Sequence, residues 1–153
     1  MNIQYTQESM EDNIKKFVNS INSQQKFISM LKPAFGNCNI ETKELTLKFH
    51  VDEWMLNPQN ALHGGITTAI FDTTFGYLAH YFSENRFVTT ITLTTNYLKP
   101  IWLDDDIEVT GKIVSLGKNI VNLIGEIKIP KRDVVAGTAT ASFMILQNKY
   151  YKQ

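Results

Sequence analysis

One segment of the sequence contains two features whose residue types are suited to catalysis. They are the tripeptide His63-Gly64-Gly65 and Asp72, nine residues after the histidine. Residues 57–62 are turn formers without an apolar period, whereas residues 66–82 repeat apolar side chains about every 3.6 residues. The pattern predicts a helix that begins at the two glycines. The N–H groups of its first turn, with no side chains around them, would be open to an anion or an oxyanion.

A helical wheel places Asp72 in the middle of the helix side that carries small residues, at about 100° per residue. The bulky half of the wheel contains Ile66, Ile70, Phe71, Phe75, Tyr77, Leu78, Tyr81 and Phe82. The small half contains Gly65, Thr68, Ala69, Asp72, Thr73, Gly76, Ala79 and Ser83. Another group can approach closely on the small side, where Thr73 is a candidate substrate contact. Asp72 is the only carboxylate between Glu53 and Glu84, and an isolated acid there is paired, neutral or functional.

The spacing between His63 and Asp72 has a consequence for assembly. Nine helical residues rise about 13 Å and end on the opposite face of the helix. If the helix start and Asp72 act on one carbonyl, the simplest arrangement is two antiparallel copies of the helix across a twofold axis. Each site would then take a glycine amide from one subunit and an aspartate from the other. The spacing therefore predicts a homodimer with shared sites.

With Asn57 six residues before His63 and Thr90 eighteen beyond Asp72, this pattern resembles the hot-dog fold acyl-CoA thioesterases, in particular the PaaI-like, phenylacetate-degradation group. The resemblance covers roughly residues 35 to 146. It implies that the Gly64 amide polarises the thioester carbonyl and that Asp72 is the nucleophile or general base. It also implies that Asn57 and Thr90 help to hold the water or the acid. It makes a pairing of dimers into tetramers plausible.

One position departs from the family pattern, and one residue has an ambiguous role. Members often have glycine where Asn60 stands, which predicts a differently shaped loop before His63. For His63 itself, we expect orientation of the loop rather than proton transfer, since it lies opposite Asp72 on the helix.

A coenzyme A substrate would need cations for its phosphates. Lys99 and Lys118, with Lys131 and Arg132, stand at predicted strand ends or turns from which they could reach them, although such cations are commonly solvated surface. With Thr73, the candidate substrate contacts are therefore Gly65, Lys99 and Lys118. The aromatic residues of the helix would suit an aryl or medium-chain acyl group, but their place on the bulky half favours packing.

Other interpretations compete with catalysis. Asp72 could be a structural residue bonded to Thr68 or Thr73, the two glycines could serve tight packing, and Asn57 could form an Asx turn before Pro58. A different functional class is a non-catalytic acyl-CoA binding or sensing module of the same fold. A dehydratase would need a different placement of Asp and His.

Composition excludes several other classes. The 153 residues fit one domain. The formal net charge of zero and the pI near 6.8 do not indicate the excess of basic residues that nucleic-acid binding needs. There is no run of 18 apolar residues and no secretory leader pattern, so we expect no membrane contact and a cytoplasmic location. The single Cys38 fits a reducing compartment and a structural role. Three widely spaced histidines without carboxylates at ligand spacing predict no metal, and nothing in the sequence indicates a cofactor.

The elements that would position these residues form an α+β, hot-dog arrangement: a long central helix wrapped by an antiparallel sheet. Residues 5–32 are predicted to be helical, restarting near Asn22 or Ser23. Residues 1–34 would pack on the domain 35–153, either as a cover over the sheet or as a lid on the acyl pocket. Strands are predicted over 36–50 (two short ones), 88–98, 107–116, 120–129 and 134–146, with residues 147–153 as an exposed tail. In the strand 88–98, alternation places Thr90 on the side opposite Leu93 and Tyr97.

Overall fold

A computed structural model describes residues 5–147 as one antiparallel sheet packed against a long helix. The helices are α1 (Gln7–Asn22), α2 (Phe27–Met30) and α3 (Gly64–Phe82). The strands are β1 (Ala34–Asn39), β2 (Glu44–His50), β3 (Val88–Tyr97), β4 (Asp106–Leu116), β5 (Ile120–Ile129) and β6 (Val134–Ile145). The sheet order is β1-β2-β4-β5-β6-β3. The predicted α+β class is confirmed, and α3 begins at the first of the two glycines.

The helix α3 lies close to the sheet because the strands beneath it carry small residues. A Cβ atom added at Gly111 of β4 would lie 2.8 Å from the Phe75 ring, and one at Gly125 of β5 would meet the same ring. The side chains of Ala139 and Ala141 on β6 are also buried. The run of small residues over 136–142 in β6 therefore marks the close approach of a helix.

The N-terminal segment covers part of this layer. In α1 the side chains of Met10, Ile14 and Val18 are buried. Its Phe17 packs against Tyr77 and against His80 of α3, with ring centroids 4.6 and 5.0 Å apart. The segment 23–26 separates α1 from α2, so the second helix starts later than the sequence pattern indicates. The division of the chain at residue 34 stays a prediction.

A β-bulge in β3 corrects the expected alternation of that strand. The register with β6 pairs Thr90 with Phe143 and Thr92 with Ser142, which leaves Ile91 as the extra residue. Phe143 is buried under α3, so Thr90 faces the helix as Leu93 and Tyr97 do. The prediction that Thr90 lies on the opposite side from these residues is wrong. Simple period-two counting fails wherever one residue is inserted in a ladder.

Two further sequence predictions concern the ends and the surface. Gln147 is exposed, while the rest of the predicted tail, 148–153, lies outside the described residues. No helix within residues 5–147 is both long enough and apolar enough to span a bilayer.

Candidate active site

The loop before α3 is shaped by Asn57. Its side-chain oxygen accepts hydrogen bonds from the backbone N–H groups of Gln59 and Ala61, at 2.9 and 3.1 Å. Its own N–H donates to the Ala61 carbonyl at 2.8 Å. These contacts form an Asx turn, so the structural role considered for Asn57 is confirmed. The Asn57 side-chain NH₂ group forms no hydrogen bond with residues 5–147, and Asn57 borders the cleft described below.

Asn60 occupies the left-handed region of backbone space, with φ of 61°. Glycine and asparagine adopt this conformation more readily than other residues. The asparagine at this position therefore suits the turn that a family glycine would also suit. The prediction of a differently shaped loop gains no support from this conformation.

His63 is the N-cap of α3. Its Nδ1 atom accepts a hydrogen bond from the Gly65 N–H at 2.9 Å, and its own N–H donates to the Met55 carbonyl. Because Nδ1 acts as an acceptor, the ring proton is on Nε2. The Gly65 amide is therefore occupied by the cap. The N–H groups of Gly64 and Ile66 have no acceptor among residues 5–147, and of these two residues Gly64 borders the cleft described next.

The open Gly64 amide borders a cleft of about 530 Å³. Its lining residues are Asn57, Ala61, Leu62, Gly64, Gly65, Thr67, Tyr97, Leu98, Lys99, Pro100, Ile101 and Ala136. Four of the predicted site residues therefore meet in one place, and none of the lining residues belongs to α1 or α2. The lining of this cleft gives no support to the interpretation of the N-terminal segment as a lid. Lys99 forms no ion pair within residues 5–147, so its charge faces the cleft and solvent.

Asp72 and Thr90 form a second cluster. The Thr90 hydroxyl donates a hydrogen bond to an oxygen of the half-buried Asp72 carboxylate at 2.6 Å. Asp72 is not held by Thr68 or Thr73, the two partners that a purely structural role predicted. Thr73 is buried and donates to the Ala69 carbonyl of its own helix, so its hydroxyl is already occupied.

One chain does not bring its Gly64 amide and its Asp72 carboxylate together. Both belong to the continuous helix α3, eight residues apart, which separates them by about 12 Å along the axis. Asp72 does not border the cleft. The geometry of one chain thus keeps the two candidate groups apart, as the spacing in the sequence predicted.

Lys118, Arg132 and the single thiol, Cys38, are not among the residues that line the cleft. Lys118 stands in the turn between β4 and β5, and Arg132 is engaged by the Asp105 carboxylate and the Pro100 carbonyl. Burial raises the pKa of the Cys38 thiol, which favours the unreactive protonated form.

The other two histidines also have structural partners. His50 is exposed and bonded to Asp106, and His80 is bonded to the Arg86 carbonyl. Residues 5–147 contain no group of three or more His, Cys, Asp or Glu side chains placed to hold a metal ion.

Tyr97 is a site residue that the sequence argument missed. It borders the cleft, and its hydroxyl donates to the Gly64 carbonyl at 3.0 Å. The sequence pattern placed Tyr97 on the same side of β3 as Leu93. The pattern of one strand, however, does not predict a contact with the start of α3.

The family model of the thioesterase superfamily matches residues 59–136, just over half of the chain and including His63, Gly64 and Asp72. The protein therefore belongs to the thioesterase superfamily. No curated protein sequence matches the chain.

Solved structures agree on the fold. The PaaI protein of the phenylacetic acid degradation operon of E. coli superposes with a TM-score of 0.76 at 15% identity, over 90% of this chain and 96% of that one. Zebrafish thioesterase superfamily member 2 superposes with a TM-score of 0.77 at 13% identity, over 89% and 98%. A hypothetical thioesterase of Streptococcus pneumoniae, solved with coenzyme A, gives 0.63 at 22% identity, over 67% and 80%. The expected hot-dog fold, the PaaI-like resemblance and the thioester hydrolase class are confirmed.

Proposed function

We propose that this protein is an acyl-CoA thioesterase, which hydrolyses an acyl-CoA thioester to the free acid and coenzyme A. The observation that carries the proposal is the unpaired Gly64 N–H at the border of a cleft that also contains Lys99. An amide there suits the carbonyl oxygen of a thioester, and a lysine at the same cleft suits a phosphate. The S. pneumoniae relative binds coenzyme A on the same fold.

The reaction needs a donor for the oxyanion and a base or nucleophile. The Gly64 N–H, at the positive end of the α3 dipole, would stabilise negative charge on the thioester oxygen, an effect typically worth about 3 kcal/mol. Asp72 would either attack the carbonyl carbon or take a proton from the attacking water. If Asp72 attacks, the carbon–sulfur bond breaks as a mixed anhydride with Asp72 forms, and water then hydrolyses that anhydride to release the acid. If Asp72 is the base, the water attacks the carbonyl carbon directly and the carbon–sulfur bond breaks. In both routes coenzyme A leaves as the thiolate and one water is consumed. Thr90 would hold the Asp72 carboxylate in the orientation for this step.

The reacting pair would come from two subunits. The 12 Å rise between Gly64 and Asp72 on one helix is too long for one carbonyl group to touch both. The strand β3 is an edge of the sheet, ten residues long, with Ile91 46% and Tyr97 59% exposed. A long edge strand presents unpaired backbone N–H and C=O groups with which another strand can pair. Pairing of two copies here would support antiparallel α3 helices and a homodimer with two shared sites; a dimer of dimers stays a prediction.

The aromatic residues of α3 do not identify the acyl group of the substrate. Phe75, Tyr77, Tyr81 and Phe82 are buried in the core of the subunit, which makes them packing residues, as their place on the wheel indicated. An aryl or medium-chain acyl group therefore remains a proposal that rests on the resemblance to PaaI-like enzymes. Candidate contacts for the coenzyme A phosphates are Lys99 first and Lys118 second.

The test is release of free thiol from short, medium and aryl acyl-CoAs by wild type and by Asp72→Asn. The matched control is Asp12→Asn, the same change at an exposed position on α1. We expect turnover by wild type and Asp12→Asn, with kcat lower by orders of magnitude in Asp72→Asn. Saturable acyl-CoA binding without turnover by any of the three would instead establish the non-catalytic binding module. Full turnover by Asp72→Asn would remove Asp72 from the mechanism.

A further inference from the structure

Tyr97 contacts the first residue of α3 at two points. Its hydroxyl donates a hydrogen bond to the Gly64 carbonyl oxygen at 3.0 Å. Its ring covers the α-carbon of the same residue, since a Cβ atom added at Gly64 would lie 3.3 Å from ring atoms of Tyr97. Tyr97 thus holds Gly64 by its carbonyl and by one face of its α-carbon.

The hydroxyl of Tyr97 is itself fixed by two threonines. Its only proton goes to the Gly64 carbonyl, so the Thr68 hydroxyl, 3.0 Å away, is the donor in their contact. Thr68 in turn lies 3.2 Å from the Thr95 hydroxyl of β3. This chain of three hydroxyl groups connects the edge strand β3 to the first turn of α3. The position of the tyrosine ring is therefore set from both elements.

Gly64 needs such external support. Glycine has the largest conformational freedom of any residue, and helix ends fray. The Gly64 N–H has no acceptor among the described residues, so it takes no orientation from a hydrogen bond of its own. An oxyanion donor must nevertheless lie 2.7–3.1 Å from one position, because its effect comes from being oriented before the reaction.

We propose that Tyr97 is a positioning residue that holds the Gly64 amide in its oxyanion-binding orientation. The inference rests on the proposed thioesterase function for its effect on rate, but the contact with Gly64 does not depend on that function. It also bears on the residue type at position 64, because a Cβ atom there would be in tight contact with Tyr97 and the ring would have to shift slightly.

A residue that positions Gly64 and a residue that only lines the cleft would affect kcat and KM differently when they are substituted. Tyr97→Phe keeps the ring and removes only the hydroxyl, whereas Tyr97→Leu removes both contacts. Because a displacement of an ångström can cost about a hundredfold in rate, we expect kcat to fall about tenfold in Tyr97→Phe and further in Tyr97→Leu. KM should change by less than about twofold in Tyr97→Phe, since the lost bond is to Gly64 and not to the substrate. A wall residue would instead raise KM with kcat unchanged.

The steric contact has its own test. Gly64→Ala keeps the N–H but places a methyl group against Tyr97, so we expect lower kcat. In the double variant Gly64→Ala with Tyr97→Leu that collision is absent, and the loss should be smaller than the product of the two single losses. Multiplicative losses would show that the ring does not set the residue type at position 64.

A readout without substrate separates this inference from the proposed function. ¹⁵N relaxation measures the backbone order parameter of Gly64. This parameter should fall from about 0.85, the value of a rigid backbone, toward about 0.6 in Tyr97→Phe. The control is Tyr5→Phe, a solvent-exposed tyrosine remote from the cleft, in which both kcat and the order parameter should match wild type.

The outcomes distinguish the two proposals. If wild type hydrolyses acyl-CoA and Tyr97→Phe has unchanged kcat, the positioning role is overturned and the thioesterase assignment stands. If wild type hydrolyses no thioester, the proposed function fails, and the order parameter decides the Tyr97 inference alone. An unchanged order parameter at Gly64 would then overturn it.

Discussion

Thr90 donates a 2.6 Å hydrogen bond to Asp72 because a β-bulge at Ile91 turns its side chain toward α3. Without the extra residue, alternation along β3 would direct the Thr90 hydroxyl to the other face of the sheet. Bulges recur where a strand must re-aim one side chain. The acid of the candidate site is therefore oriented by an irregularity of the edge strand and not by its own helix.

Thr90→Val should lower kcat by about 10- to 100-fold, because a hydrogen bond to a charged group is worth about 1.5–3 kcal/mol. Valine keeps the β-branched shape, so the thermal midpoint should remain close to that of wild type. The control is Thr90→Ser, which keeps the hydroxyl and should recover most of the activity. Steady-state thiol release by all three proteins provides the measurement, and wild-type kcat in Thr90→Val would exclude the contact from the mechanism.

A shared site predicts complementation between two inactive subunits. Gly64→Pro removes the open N–H while fitting the first position of a helix, and His63 already has the extended backbone that precedes proline, with ψ of 134°. Mixed with Asp72→Asn subunits, it would form heterodimers in which one of the two sites has an intact amide and an intact acid. A random one-to-one mixture should recover about a quarter of wild-type activity, since half of the dimers carry one intact site.

The control for this experiment is Gly64→Ala, which has the same new contact with Tyr97 but keeps the N–H. Alone, it should retain about 10²- to 10³-fold more kcat than Gly64→Pro if the amide is the oxyanion donor. Verified heterodimers that show no activity above their parent proteins would place Gly64 and Asp72 outside a common site.

The sequence sufficed for the elements of the fold because their patterns are local. The apolar period of residues 66–82 gave α3, and the antiparallel strands after it were found to within a few residues. The spacing of His63 and Asp72 sufficed to predict that one subunit separates the start of α3 from its acid. Both results follow from helix geometry alone.

The rest of the site depends on contacts between elements distant in sequence. The side of β3 on which Thr90 lies is set by its register with β6. The contact of Tyr97 with Gly64 joins residues 33 positions apart. The engagement of the Gly65 amide by His63 needed the backbone geometry of the loop, which left Gly64 as the only open donor of the pair. The apolar periodicity of the sequence predicts none of these contacts.

His63 should act on stability through its cap. His63→Ala removes the acceptor for the Gly65 N–H, and loss of an N-cap costs about 1 kcal/mol. For a chain of this size the thermal midpoint should fall by about 2–4 °C. His63→Asn retains a capping oxygen and should recover most of the loss. Equal midpoints for His63→Ala and wild type in calorimetry would show that the cap contributes nothing to folding.

His50 makes the stability of the protein depend on pH. The hydrogen bond to Asp106 raises the pKa of His50 above its ordinary 6.5, and the charges of Asp106, Asp52 and Asp104 act in the same direction. The folded state therefore binds the proton more tightly than the unfolded chain does. The stabilisation is complete below pH 6.5 and is lost as the pH rises through the raised folded value. The effect should be small because the His50 and Asp106 side chains are both exposed.

Urea unfolding midpoints measured from about pH 5 to pH 9 test this dependence. Relative to His50→Gln, wild type should show its largest advantage at the acid end of the range, with the difference shrinking above pH 6.5. Asp106→Asn removes the main cause of the raised pKa while leaving the imidazole in place, so its curve should lie between the other two. If the difference between wild type and His50→Gln were constant across the range, the His50–Asp106 contact would have no linkage to folding, since only a pKa that differs between the folded and unfolded states gives a slope with pH.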